Sequence, residues 1–177
     1  MKKIFVFILF ISVVADAAFA QFFKRDESFA HTFSIVARGA LTGEMAVGVQ
    51  SHWFSVGTAV PWGEAGVGVV ATQAFVNKSY GPNGLALMRN GRTAREALTE
   101  LLAKDKGREV RQVAMIDVNG DVHSYTGKSC IDNASNITGK NFSVQSNMML
   151  NNKVCPAMVK SFEASEGKPW AERVLTA

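Results

Sequence analysis

Thr32 is the residue whose type and position are best suited to chemistry. It opens the first predicted strand, residues 32–38, directly after a short charged segment. If the peptide bond before it were cut, the freed α-amino group, with a reference pKa of ~7.7–8.0, could act as general base for the threonine hydroxyl. Thr32 is therefore a candidate nucleophile, although a β-branched residue at the start of a strand is the plainer interpretation.

The cysteines and histidines limit the metal and redox chemistry of the chain. Cys130 and Cys155 are its only cysteines, which excludes a tetrathiolate zinc site and a Cys-x-x-Cys redox motif. They form either a disulfide, whose loop would stabilise an exported protein by ~3 kcal/mol, or two buried thiols. His31, His52 and His123 lack the spacing of metal ligands. No metal and no other cofactor is predicted.

The glycine-rich and acidic motifs are weak. Residues 66–68 (Gly-Val-Gly) lack the third glycine of a dinucleotide fingerprint and lead into a strand rather than a helix. Residues 127–129 (Gly-Lys-Ser) lack the upstream glycine of a phosphate loop. Asp117 and Asp121 flank an Asn-Gly turn, where carboxylates favour turn geometry. These motifs point neither to a nucleotide nor to paired catalytic carboxylates.

The composition indicates one exported domain, either periplasmic or secreted. Of the 177 residues, the first 20 combine Lys2 and Lys3, an apolar run and a final Ala-Phe-Ala, which is the pattern of a cleaved signal peptide. That run is too short to span a bilayer, so no membrane span is expected after cleavage. Residues 21–31 form a leader segment and residues 32–177 a single domain. The net charge of +4 is not clustered, which argues against nucleic-acid binding.

The hydrophobic pattern predicts strands, then helices, then strands, then helices. The predicted strands cover residues 32–38, 45–51, 56–60, 67–73, 112–118, 121–126 and 141–148. The predicted helices cover residues 82–88, 94–104 and 154–164, and a last one starts at Pro169. This order favours an α+β class with antiparallel sheet. Because the last helix reaches Ala177 without a stop signal, the chain is expected to be truncated at its C-terminus.

Several blocks of sequence resemble one known family. The main blocks are residues 32–38 (Thr-Phe-Ser-Ile-Val-Ala-Arg), 71–74 (Ala-Thr-Gln-Ala), 77–85 (Asn-x-Ser-Tyr-Gly-Pro-x-Gly-Leu) and 143–148 (Ser-Val-Gln-x-Asn-Met). With shorter matches between them, they make the chain from Thr32 onward similar to the domain-of-unknown-function 1028 family. That family is placed in the N-terminal-nucleophile hydrolase superfamily, and its members usually continue with a further glycine-rich segment and strand.

The resemblance implies a four-layer α-β-β-α sandwich and acyl transfer at an amide. Thr32 would be the nucleophile, and in this chain its amine would be freed only by cleavage after His31. From their positions at strand ends, Gln73 and Asn147 are candidate donors to the oxyanion, and Ser51 is a candidate for orienting the amine. Residues 32–73 contain no Lys or Asp. The chain therefore does not match a proteasome-like catalytic set of Thr, Asp and Lys.

Two functions of different classes follow from these observations. The first is an exported amidohydrolase of the N-terminal-nucleophile type, acting on a small amide or peptide-like substrate. The alternative is a non-catalytic binding or structural protein that keeps the sandwich without the chemistry. A third hypothesis is a cell-wall-associated module, in which the basic charge balance would favour contact with an anionic polymer. No oligomeric state is predicted.

Overall fold

The computed structural model of the protein describes residues 31–177. The predicted signal peptide and all but the last residue of the predicted leader lie outside the described residues. The strands in the described part of the chain are β1 (Thr32–Arg38), β2 (Met45–Ser51), β3 (Pro61–Glu64), β4 (Gly68–Ala74), β5 (Arg111–Asp117), β6 (Val122–Thr126), β7 (Ser135–Gly139) and β8 (Phe142–Asn147). Its helices are α1 (Tyr80–Arg89), α2 (Ala94–Lys104), α3 (Val154–Ala164) and α4 (Trp170–Thr176).

The strands form two antiparallel four-stranded sheets. The first sheet has the order β2-β1-β8-β7 and the second the order β3-β4-β5-β6. Strand β1 therefore lies inside the first sheet, between its hairpin partner β2 and the last strand of the chain, β8. These two antiparallel sheets and four helices confirm the α+β class predicted from the order of the elements.

Apolar side chains cover both faces of each sheet. The inter-sheet cluster, which lies between the two sheets, consists of Val36, Val60, Val69, Ala71, Ala114, Ile116 and Val122. The other face of the second sheet packs against α1 and α2 around Tyr80, Leu85, Leu98 and Met115. The other face of the first sheet packs against α3 and α4 around Ile35, Val144, Met158 and Phe162. Each helix pair is thus held on its sheet by the hydrophobic effect, because the contact removes apolar side chains of both from water.

The layer between the sheets changes from apolar to polar toward one end. Alternate residues of a strand share a face, so the face that carries Val36 on β1 and Ala71 on β4 continues into polar residues further along each strand. The buried polar residues at this end are Thr32, Ser34, Gln73, Gln112, Gln145 and Asn147. Because buried polar groups need hydrogen-bond partners, this end cannot be a simple extension of the core.

The edge strands differ from the sequence predictions. The predicted strand at residues 56–60 is wrong: the structure has a 3₁₀ turn at Val56–Thr58. It places strand β3 at Pro61–Glu64, between two of the predicted strands. Proline is tolerated at the first position of an edge strand. Strand β7, also missed, has a polar sequence without apolar alternation, and its strand conformation comes from pairing with β8.

Helix α2 begins with a capping box. The Thr93 hydroxyl accepts a hydrogen bond from the Glu96 backbone N–H, and the Glu96 carboxylate accepts one from the Thr93 N–H. Two of the unpaired donors at the helix start are satisfied in this way. None of the helices in the described part of the chain combines the length and apolarity needed to cross a membrane.

The two cysteines are both free thiols in the structure. The Cys155 side chain is buried, with Sγ 3.2 Å from the Ser146 hydroxyl oxygen. The Cys130 Sγ lies 3.4 Å from the Arg111 carbonyl oxygen. The disulfide that the sequence left open is therefore not formed here, and each thiol packs against its own polar partner.

Candidate functional site

Three strand ends place polar side chains around Thr32. In the first sheet, Thr32 lies directly opposite Ser51 on β2 and directly opposite Asn147 on β8. Because directly opposed residues of antiparallel strands point to the same face, all three side chains share the polar end of the inter-sheet layer. The start of β1 and the ends of β2 and β8 meet at one edge of the sheet, which explains how residues far apart in sequence come together.

The Thr32 hydroxyl is buried and hydrogen-bonded. Its Oγ1 lies 2.7 Å from the Ser51 Oγ, and Thr32 as a whole is only 4% exposed. The Ser51 Oγ also accepts a hydrogen bond from the Trp53 backbone N–H at 3.1 Å. Since that N–H can only donate, the Ser51 hydroxyl is held in place beside Thr32.

Gln73 and Asn147 reach the same region from opposite sheets and are joined through Gln112. The Gln73 Nε2 donates to the Gln112 Oε1 at 2.8 Å, and the Asn147 Nδ2 donates to the same oxygen at 3.0 Å. Gln112 lies directly opposite Gln73 on the neighbouring strand of the second sheet. One buried amide therefore connects side chains of the two sheets.

Backbone contacts fix the orientation of all three amides. The Gln112 Nε2 donates to the backbone carbonyls of Ser135 and Ser146, each at 3.1 Å. Because carbonyls only accept, the Gln112 Oε1 must face the other way, toward Gln73 and Asn147, and each of these must present its NH₂ group. Each NH₂ group then has one hydrogen left to donate.

This orientation leaves two buried oxygens without partners. Within the described residues, the Gln73 Oε1 and the Asn147 Oδ1 are both buried and accept no hydrogen bond. A buried acceptor left unpaired costs about 1–3 kcal/mol, so a donor from a bound water or a ligand would stabilise these two oxygens. The site offers both N–H donors and free acceptors to a bound molecule.

A cavity of about 510 Å³ opens over these residues. Thr32, Gln73 and Asn147 all line it, while Ser51 is connected to it through the Thr32 hydroxyl. The rest of its wall is mostly apolar and includes Trp53, Phe54, Val56, Val60, Phe75, Val76, Ile131 and Met148. A volume of this size lies in the range of small-molecule sites, about 300–1,000 Å³.

The backbone around the cavity is strained at three positions. Ser55, Ala74 and Met148 have φ angles of 57°, 65° and 57°, in the left-handed region that non-glycine residues avoid. All three line the cavity, and Ala74 and Met148 directly follow Gln73 and Asn147. Strain of this kind persists where the surrounding structure enforces it, often at functional sites.

Other chemistry is less favoured in the described residues. Burial raises the pKa of the Cys130 thiol above its ordinary value, which keeps it in the poorly nucleophilic protonated form at neutral pH. Residues 31–177 contain no group of three or more His, Cys, Asp and Glu side chains arranged to hold a metal ion.

All four residues proposed from the sequence are thus brought together, and two further residues are added by the structure. Gln112 and the cavity residue Lys78 were not proposed. Gln112 could have been found, because it is a polar residue at the start of a buried strand, like Thr32. Lys78 lies in the turn before α1, and no local pattern connects that turn with Thr32.

The chain belongs to a family of unknown function, DUF1028, whose family model matches residues 32–177. A similar solved structure is that of protein SPO2555 from Silicibacter pomeroyi, described as a DUF1028 member. The two chains are 29% identical with a TM-score of 0.78, and the match covers 82% of this chain and 67% of that one. No curated protein matches the sequence.

Proposed function

We propose that this protein is an exported amidohydrolase of the N-terminal-nucleophile type, with Thr32 as the nucleophile. The observation that carries the proposal is the position of Thr32, at the first residue of a central strand and in the wall of a ligand-sized cavity. The stacking of α1 and α2, the two sheets, and α3 and α4 around three apolar clusters supports the four-layer sandwich of that superfamily.

The chemistry begins with release of the Thr32 amine. The Thr32 Oγ1 attacks the His31 carbonyl carbon, the peptide C–N bond breaks, and the hydroxyl proton passes to the new amine. Water then hydrolyses the resulting ester and frees the threonine. The His31 carbonyl oxygen accepts a hydrogen bond from the His52 N–H at 3.3 Å, which supports this step because it polarises the carbonyl that is attacked.

The mature site would then cleave an amide of its substrate. The free amine takes the proton of the Thr32 Oγ1 as this oxygen attacks the substrate carbonyl, and the leaving amine departs with a proton. Water releases the acyl group as a carboxylic acid. The remaining N–H groups of Gln73 and Asn147 are donors for the oxyanion, and Ser51 positions the Thr32 hydroxyl.

The mass of the purified protein and its N-terminal sequence test the proposal directly. We expect a mature chain that starts at Thr32, and hydrolysis of apolar acyl p-nitroanilides by that form. Thr32→Ala should abolish cleavage after His31 and lower amide hydrolysis by at least about a hundredfold. Thr99→Ala, which changes an exposed threonine of α2 outside the cavity wall, is the matched control and should retain both.

A binding protein without catalysis is the second candidate. The Thr32 hydroxyl is already paired with Ser51 and follows His31 in the chain, whereas the apolar cavity is formed without any cleavage. Two results together would establish this alternative and reject the hydrolase. The purified protein would remain uncleaved before Thr32, and the Thr32→Ala variant would bind apolar ligands as tightly as the unmodified protein.

A further inference from the structure

The mouth of the cavity carries an unusual amount of exposed apolar surface. We call Trp53, Phe54, Phe75, Val76 and Ile131 the apolar rim, because all five line the cavity and all five are exposed. Phe54 is 99% exposed. A contiguous exposed apolar patch of this kind marks a place where an apolar ligand is buried.

Charge at the cavity is limited to one sign. Among the described residues that line it, Lys78 is the only one with a charged side chain. Within residues 31–177, Lys78 has no carboxylate partner, since the ion pairs there involve other residues. An unpaired ammonium group beside an apolar wall favours an anionic group on a ligand that is otherwise apolar.

The interior of the cavity also needs a hydrogen-bond donor. The unpartnered oxygens belong to Gln73 and Asn147, which are 2% and 1% exposed and both line the cavity. A ligand N–H would satisfy one of them and recover the cost of an unpaired buried acceptor. A secondary amide has that N–H directly beside the carbonyl that Thr32 would attack.

We propose that the ligand class is an N-acyl amino acid, in which an apolar acyl chain is joined by an amide to an amino acid with a free carboxylate. The chain packs against the apolar rim, the amide lies over Thr32 between Gln73 and Asn147, and the carboxylate pairs with Lys78. This inference rests on the proposed function, whose products would then be a fatty or aryl carboxylic acid and a free amino acid.

A non-cleavable analogue tests the recognition separately from the chemistry. N-(decane-1-sulfonyl)glycine keeps the apolar chain, the N–H and the carboxylate but has no acyl carbonyl to attack. Its binding to the full chain is measured by titration calorimetry beside three relatives. These are the glycinamide, which lacks the carboxylate, the N-methyl derivative, which lacks the donor, and the methanesulfonyl derivative, which lacks the chain.

We expect the glycinamide to bind about fivefold more weakly than the acid at low salt, as for one solvent-exposed ion pair, and this difference to shrink as salt is added. Loss of the chain should weaken binding by at least tenfold, and N-methylation by about fivefold. Lys78→Gln should remove the difference between acid and glycinamide. Lys140→Gln, an exposed lysine in the turn before β8, should leave it unchanged.

The outcomes separate this inference from the proposed function. Equal affinity for acid and glycinamide, or a Lys78→Gln variant that still discriminates between them, would overturn the inference. If the analogue binds as expected but neither N-decanoylglycine nor the acyl p-nitroanilides are hydrolysed, the ligand class stands and the hydrolase is rejected. If hydrolysis depends on Thr32 but Lys78→Gln does not change the difference in affinity between acid and glycinamide, the inference is overturned and the hydrolase stands.

Discussion

Gln112 determines how the other amides of the site are oriented. It is fully buried, and it joins the β7–β8 side of the first sheet to β4 and β6 in the second. Hydrogen bonds in such a network support one another, so a change at the shared residue affects every member. The orientation of the Gln73 and Asn147 side chains thus depends on Gln112, a residue that need not touch the substrate.

Replacement of this amide should therefore be costly. We expect Gln112→Met to lower the free energy of unfolding by about 2–4 kcal/mol, because several buried donors and acceptors lose their partner at once. Urea unfolding followed by circular dichroism measures the effect. Gln50→Met, at the exposed position of the edge strand β2, should change it by less than about 0.5 kcal/mol. A loss at Gln112 as small as that of the control would contradict the network.

At the scale of elements, the start of α2 is held by the hairpin of β5 and β6. The backbone N–H of Ala94 donates to the Asp117 carboxylate at 3.1 Å, and that of Arg95 donates to the Asp121 carboxylate at 2.9 Å. Negative groups at a helix N-terminus are favourable because they meet the positive end of its dipole. Both aspartates that flank the Asn-Gly turn thus anchor the helix, and the Asp117 carboxylate also accepts from the Asn119 and Asp121 N–H groups of the turn.

Loss of the threonine cap at this helix should have a moderate effect. We expect Thr93→Ala to destabilise the protein by about 1 kcal/mol, because the Glu96 N–H loses its acceptor. The same change at Thr99, an exposed position inside α2, should be neutral or slightly stabilising, since alanine favours the helix interior. Thermal unfolding of both variants distinguishes capping from helix propensity. An equal response of the two variants would argue against the cap.

At the scale of the whole molecule, Asp105 ties the second sheet to its helices. Its carboxylate accepts from the Arg111 Nε at 2.9 Å, at the start of β5, and from the Tyr80 hydroxyl at 3.0 Å, at the start of α1. The Arg111 Nη1 also donates to the carbonyl of Phe75 in the cavity wall at 2.5 Å. The ion pair therefore links the helices to the loop that shapes the candidate site.

This arrangement predicts how stability depends on pH. Burial opposes ionisation of Asp105, but hydrogen bonds from Arg111, the Gly107 backbone and Tyr80 outweigh it and lower the pKa of the carboxyl below its ordinary value. A lowered folded-state pKa stabilises the protein above the unfolded value of about 3.9, and that contribution is lost as the pH falls further through the folded value.

We therefore expect Asp105→Asn to be less stable than the unmodified protein at pH 6, with the gap closing below about pH 4. Urea unfolding at a series of pH values measures it. For Asp132→Asn, at an exposed position, the free energy of unfolding should depend on pH almost as it does in the unmodified protein. A gap that stays constant down to pH 2 would show that the Asp105 charge does not contribute.

The local elements were predictable because their causes are local. The capping box at Thr93, the Asn119–Gly120 hairpin turn and the β1–β2 hairpin each depend on neighbouring residues, and the structure contains all three. The edge strands β3 and β7 were missed because short edge strands owe their conformation to a partner rather than to periodicity. Polar residues at strand ends were recognised as candidates, although sequence alone could not say which of them meet.

The sequence by itself determined the α+β class, the main hairpins and the candidates Thr32, Ser51, Gln73 and Asn147, since these follow from alternation, turns and strand ends. Only the tertiary structure decided that Thr32, Gln73 and Asn147 line one cavity, with Ser51 hydrogen-bonded to Thr32. It also decided that Gln112 orients Gln73 and Asn147, and that Lys78 supplies the cavity with its charge. The physical reason is register. Which residues face each other across two sheets depends on how strands distant in the sequence are paired, and no local pattern encodes that pairing.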